Sequence, residues 1–146
     1  MMITEIKKIH IGELLLRAVT EIGMDEEHLC TFFGCSASEI SEMYHCKSID
    51  TALLLKWSKL LEYDFFRLYS QHLILYAPQV NRITEKNTHA GLPNFRKNIY
   101  SYEVIAFLLE LIRTREKTIK QIMEEYGVPK ATIYRWITKH ESLTTE

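Results

Sequence analysis

The stretch Thr118–His140, TIKQIMEEYGVPKATIYRWITKH, leaves few folds open, because its punctuation fixes two short helices and the corner between them. Thr118 and Gln121 stand at capping-box spacing, T-x-x-Q, where each side chain satisfies the other residue's backbone N–H. They open a helix with Ile119, Ile122, Met123 and Tyr126 on one face. Gly127 follows as the residue that takes positive φ at low cost, which a sharp turn between crossed helices needs. Pro129 suits the first turn of the next helix, where its missing N–H is harmless. That second helix, Pro129–His140, buries Ile133 and Trp136 at i, i+3 and turns Lys130, Thr132, Arg135 and Lys139 outward.

The rest of the chain obeys the same 3.6-residue period, and strand signals are nearly absent. Ile11, Leu14, Leu15, Ala18, Val19 and Ile22 make one face of a first helix, ended by Gly23. Asp25 caps a second, with Leu29, Cys30 and Phe33, stopped by Gly34. Ser36 and Glu39 form another capping box, S-x-x-E, opening a third helix with Ile40 and Met43 inside. Thr51–Leu61 is a fourth, carrying Leu53, Leu54, Trp57, Leu60 and Leu61. Asp64 caps a fifth, loaded with Phe65, Phe66, Leu68, Tyr69, Leu73 and Ile74. Pro78 breaks the pattern, and Gln79–Asn98, polar and holding Gly91 and Pro93, reads as a mobile linker. Ser101 then caps a long helix that buries Val104, Ile105, Phe107, Leu108, Leu111 and Ile112.

A chain of 146 residues that is 47% hydrophobic can bury a core of this kind in one domain or two small ones. The expectation is an all-α protein of two small helical domains, each with a helix-turn-helix. Residues 1–78 form five helices, 79–98 a polar linker, and 99–146 three helices. The two corners correspond: an offset of 93 places Gly34 on Gly127, Leu29 on Ile122, Cys30 on Met123 and Phe33 on Tyr126. It also places Cys35 on Val128, Ile40 on Ile133 and Met43 on Trp136, as shared helix-pair geometry requires.

Net charge is −1, so overall charge does not announce a nucleic-acid partner, but its distribution is uneven. Residues 1–72 hold 7 Lys/Arg against 11 Asp/Glu, a balance of −4, and residues 73–146 hold 11 against 8, a balance of +3. Any electrostatic footprint for phosphate therefore lies in the second half. Cys30, Cys35 and Cys46 make no even disulfide framework, no signal peptide precedes them, and no apolar run reaches membrane length. With His28 and His45 nearby they invite a zinc reading, but C-x4-C-x9-H-C is not a common zinc spacing, and no metal or other cofactor is expected. His72 and His89 lack partners at ligand spacing, and Ser36 and Ser38 have no His–Asp context to activate a nucleophile.

Residues 10–72, with the phrase Lys47–Ser48–Ile49–Asp50–Thr51 and Tyr63–Asp64–Phe65–Phe66, resemble the λ-repressor-like (Xre-type) DNA-binding domain. Residues 99–140 resemble the homeodomain-like helix-turn-helix at the start of insertion-sequence transposases. The combined chain is similar to short proteins of the Chryseobacterium and Elizabethkingia group labelled transposase. The resemblance implies DNA recognition alone. A cut-and-paste transposase needs a carboxylate triad holding two metal ions in an α/β fold, and no alternating strands are present to build one. Glu103, Glu110, Glu116, Glu124 and Glu125 read instead as solvent-facing helix positions.

The expected partner is double-stranded DNA, contacted by Lys130, Ala131, Thr132, Tyr134, Arg135, Lys139 and Lys120. Ser36, Ser38, Ser41, His45 and Lys47 make a weaker second set, for DNA or another partner, because Glu39 and Glu42 on the same helix repel phosphate. Arg82, Lys86, Arg96 and Lys97 are placed either to track phosphates as an arm or simply to solvate the linker. Eight of the twelve residues Phe65–Tyr76 are apolar, which points to a homodimer through that helix; base stacking by Phe65, Phe66, Tyr69 and Tyr76 is the lesser alternative. No catalytic residue, small-molecule substrate or membrane association is expected, and the compartment is the cytoplasm, at the nucleoid. The rival reading is a protein-interaction adaptor whose acidic first domain dimerises.

Overall fold

The computed structural model describes residues 2–77, 93 and 99–141. Among these the chain is nine helices with no strand, so the protein is all-α. Six helices precede the polar segment: α1 (Met2–Lys7), α2 (Ile11–Ile22), α3 (Glu26–Phe33), α4 (Ala37–His45), α5 (Thr51–Leu60) and α6 (Phe66–Tyr76). Three follow it: α7 (Tyr102–Arg113), α8 (Ile119–Tyr126) and α9 (Lys130–Glu141). The eight helices expected from periodicity are present. α1 is additional; it is six residues long, too short to show a period, and is held by buried Ile6 and by the ion pair of Glu5 with Arg17 on α2. The expected linker lies outside the described residues, apart from exposed Pro93.

The described residues fall into two compact units, Thr4–Tyr69 in one and Ser70 onward, with the start of α1, in the other. That division lies inside α6.

In the first unit, α2 begins against the end of α4. The N–H groups of Ile11 and Gly12 donate to the carbonyls of Lys47 (3.1 Å) and Cys46 (2.9 Å). Donors that the first turn of a helix leaves open thus meet carbonyls that follow another helix's last turn. Gly12 permits the approach, since a Cβ there would overlap the carbonyl oxygens of Met43 and Tyr44. Ile11, Leu15, Leu29, Ile40, Leu54, Trp57 and Phe65 fill the core, with the Phe33 ring 4.4 Å from that of Trp57. Two expectations fail locally. Ile22 is 53% exposed, because it is the last residue of α2 and Gly23 turns the chain away before anything covers it. Asp25 occupies the N-cap of α3, its carbonyl accepting from the Leu29 N–H at 3.2 Å, but its side chain accepts no bond from the helix.

The second unit is built on Val104, Leu108 and Leu111 of α7, Ile122 of α8, and Val128, Ile133 and Trp136 around α9, all buried. Ile105, Phe107 and Ile112 are only half-buried, because the contact stripe of α7 is narrow and they flank it. Gln71, on α6, is also buried. Its amide NH2 donates to the Ile99 carbonyl and its Oε1 accepts from the Ser101 N–H, each at 2.9 Å. Ser101 in turn caps α7, its hydroxyl accepting from the Val104 N–H at 3.3 Å. One side chain therefore fixes where α7 begins, and this is why the unit reaches back to residue 70. Replacing it, Gln71→Leu, takes the partner from a part-buried carbonyl and N–H, each loss at the low end of about 1–3 kcal/mol because water can reach them in part. Thermal unfolding is expected to show that loss in the second unit, and an unchanged melting profile would show the clamp to be dispensable.

Candidate nucleic-acid interface

α8 and α9 are set by local chemistry that the sequence displays. Thr118 and Gln121 form a complete capping box: the Gln121 N–H donates to Thr118 Oγ1 at 3.2 Å and the Thr118 N–H to Gln121 Oε1 at 2.8 Å. Gly127 lies in the left-handed region (φ 65°, ψ 21°), with its N–H on the Met123 carbonyl. Val128 drops into the core, and the Pro129 carbonyl accepts from the N–H groups of Thr132 (3.0 Å) and Ile133 (3.2 Å) to start α9. The Trp136 ring meets that of Tyr100 edge-on at 4.9 Å.

With Ile133 and Trp136 turned in, rotation by about 100° per residue settles the rest of α9. Ala131, Arg135 and Thr138 line the outward side, all exposed, and Tyr134 stands beside them at 49% exposure. Lys130 and Lys139 are also exposed. They lie two and a half turns apart, and so on opposite flanks of that side, at about 3.6 residues per turn. The Lys130 ammonium sits 5.7 Å from the Tyr134 ring centroid, a cation–π contact that lays it along its flank. Among the described residues neither Lys130 nor Arg135 pairs with a carboxylate. Thr132 is half-buried, at the edge of the surface rather than within it. Lys120, on α8, is exposed and 3.8 Å from Glu124, a solvated pair that a phosphate can displace at little cost. Thr138 was not among the sequence candidates; its place seven residues after Ala131, two turns along one side, is the signal that finds it.

The corresponding corner of the first unit has different chemistry. Gly34 takes the same left-handed turn (φ 65°, ψ 36°), and Leu29 and Ile40 are buried like Ile122 and Ile133. Yet the polar groups at the two ends of α4 are engaged with α4 itself. Ser36 Oγ accepts from the Glu39 N–H at 3.3 Å, while the Glu39 carboxylate accepts from the Ser36 N–H at 2.8 Å. His45 Nδ1 lies 2.8 Å from the Ser41 carbonyl. Ser38, Ser41, Glu42 and the Lys47 side chain stay exposed.

The thiols of Cys30, Cys35 and Cys46 are free, and among the described residues no three His, Cys, Asp or Glu side chains gather into a group able to hold a metal ion. No described helix is long and apolar enough to cross a membrane. Comparisons with known protein families, with curated proteins and with solved structures return no match for this chain.

The Glu39 carboxyl is held below the ordinary carboxylate range, first by the Ser36 backbone N–H and then by the Ser36 hydroxyl. A depressed pKa stabilises the folded state above the ordinary carboxylate pKa, and that contribution fades as pH falls through the depressed value. In an NMR titration Ser36→Ala is expected to raise the Glu39 pKa only part of the way, because the larger cause, the backbone N–H, remains. No change at all would mean that the hydroxyl contributes nothing to the box.

Proposed function

We propose that this chain is a sequence-specific DNA-binding protein that reads duplex DNA with α9 and performs no chemistry of its own. The observation that carries this reading is the one-signed outward side of α9. Gly127–His140 contains Lys130, Arg135 and Lys139 and no carboxylate. A helix with its side chains is about 10–12 Å across and enters a major groove about 12 Å wide. Cations on opposite flanks then meet the phosphates of the two strands, while the side between them faces base edges. Arg135 takes the base-edge role, Lys130 and Lys139 the phosphates, and Tyr134 and Lys120 the sugar-phosphate backbone at the margin.

The likeness of residues 10–72 and 99–140 to DNA-binding helix-turn-helix domains supports this reading. It suits a role in transcription control or at mobile-element ends, in the cytoplasm at the nucleoid. The second reading, an adaptor that binds protein, is favoured by the first unit, which exposes Leu16, Ile22, Phe32 and Leu55 and has an acidic balance. Both readings accommodate a homodimer. A helix-turn-helix reader gains a second half-site from a second copy, and α6 exposes Tyr69 (37%) and Leu73 (63%) although Phe65, Leu68 and Leu75 of the same stretch are core. Light scattering on the full chain at micromolar concentration is expected to give the dimer mass, and Leu73→Glu to reduce it. A stable monomer would remove the dimer from both readings.

The DNA reading is tested by titrating the full chain into duplex DNA across a range of salt. Arg135→Ala is expected to cost about 1–3 kcal/mol and to relax preference at one base position. Lys139→Ala is expected to weaken all sequences alike and flatten the salt slope by about one unit. Binding that ignores salt and both substitutions, or no binding, would leave the adaptor reading.

A further inference from the structure

The outward side of α9 carries few of the chemistries that can read a base. In the major groove, adenine is read by Asn or Gln, cytosine by a carboxylate, guanine by Arg or Lys, and thymine by apolar contact with its 5-methyl group. α9, KATIYRWITKHE, has no Asn or Gln, and its one carboxylate, Glu141, is its last residue. The strip between the two flanking lysines is Ala131, Arg135 and Thr138, all exposed. Thr138 donates its hydroxyl to the Tyr134 carbonyl at 3.0 Å, so that polar group is engaged within the helix. What remains in the first turn, where a reading helix comes closest to base edges, is a methyl at Ala131, with one guanidinium a turn later; the Thr138 methyl lies in the last turn of α9, farther from them.

We infer that, within the DNA-binding reading above, α9 recognises a thymine through Ala131 and a guanine through Arg135, set close together in one half-site. Ala131 and Arg135 are four residues apart, about 6 Å along the helix, which spans roughly two base pairs at about 3.4 Å each. The Ala131 side chain is short enough for the helix backbone to come near the groove floor, and its methyl covers the thymine methyl. Arg135 reaches guanine O6 and N7 with two parallel N–H donors, a geometry that a lysine cannot copy.

The test selects duplexes from a random-core library with the full chain, then resynthesises the winners with single-atom changes. Replacing the thymine by deoxyuridine removes only its methyl, and wild-type affinity is expected to fall about fourfold, the worth of one buried methyl. Replacing the guanine by 7-deazaguanine removes the N7 acceptor and is expected to cost about tenfold, within the range of a good base contact. Ala131→Gly is expected to bind thymine and deoxyuridine duplexes equally, and Arg135→Ala to ignore the deazaguanine. The wild-type comparisons need no variant to fold, and circular dichroism checks both variants. Specific binding that is blind to deoxyuridine, selected sites lacking a thymine near a guanine, or an Ala131→Gly protein that still senses the methyl would each overturn this inference while DNA binding stands. Failure to enrich or bind any duplex would overturn both.

Discussion

All that α9 can offer a partner depends on the corner at Gly127. A left-handed residue stops α8, Val128 is drawn into the core, and α9 starts with its rotation already set. Ile133 and Trp136 then have one direction in which to bury, and Ala131, Arg135 and Thr138 have one in which to be exposed. A single residue added to the corner would turn the helix by about 100°, exchanging part of the core for part of the surface. Positive φ at the corner is cheapest for glycine, so the phase of the exposed side of α9 rests on a residue that contributes no side chain to it.

The two units use this corner with opposite outcomes. In the first, the carboxylate and hydroxyl groups at the start of α4 close on each other, and His45 folds onto its own helix. In the second, Lys130 and Arg135 pair with no carboxylate among the described residues. The same backbone device therefore carries one helix whose exposed charges are carboxylates and one whose exposed charges are cations. The division of roles proposed above follows from that contrast rather than from fold, which hosts many functions.

What could be read from sequence was what is decided within a turn or two of chain. The boxes at Ser36/Glu39 and Thr118/Gln121, the stops at Gly23, Gly34 and Gly127, and the buried pair Ile133/Trp136 are all of this kind. What could not be read was decided at a distance. Gly12 sits within a helix, where glycine is ordinarily a cost, and only the carbonyls of Met43 and Tyr44 explain it. Gln71 looks like a surface position until its partners appear 28 and 30 residues later. The outward side of α9 was legible for its cations but not for Thr138, whose hydroxyl turns back to the helix.

The clamp at Gln71 also bears on how the molecule is made. The second unit joins parts of the chain that are far apart in sequence, and residues 70–77 emerge from the ribosome before Ile99, Ser101 and α7 do. Until then the Gln71 amide has nothing to hold, and Leu75, buried in the finished protein, has no core to enter. The first unit can be complete while the helix that ends it still waits for its second half to find employment. For that interval the nascent chain carries an unfinished α6, and a chaperone or a second nascent copy would meet that helix before the rest of the unit does.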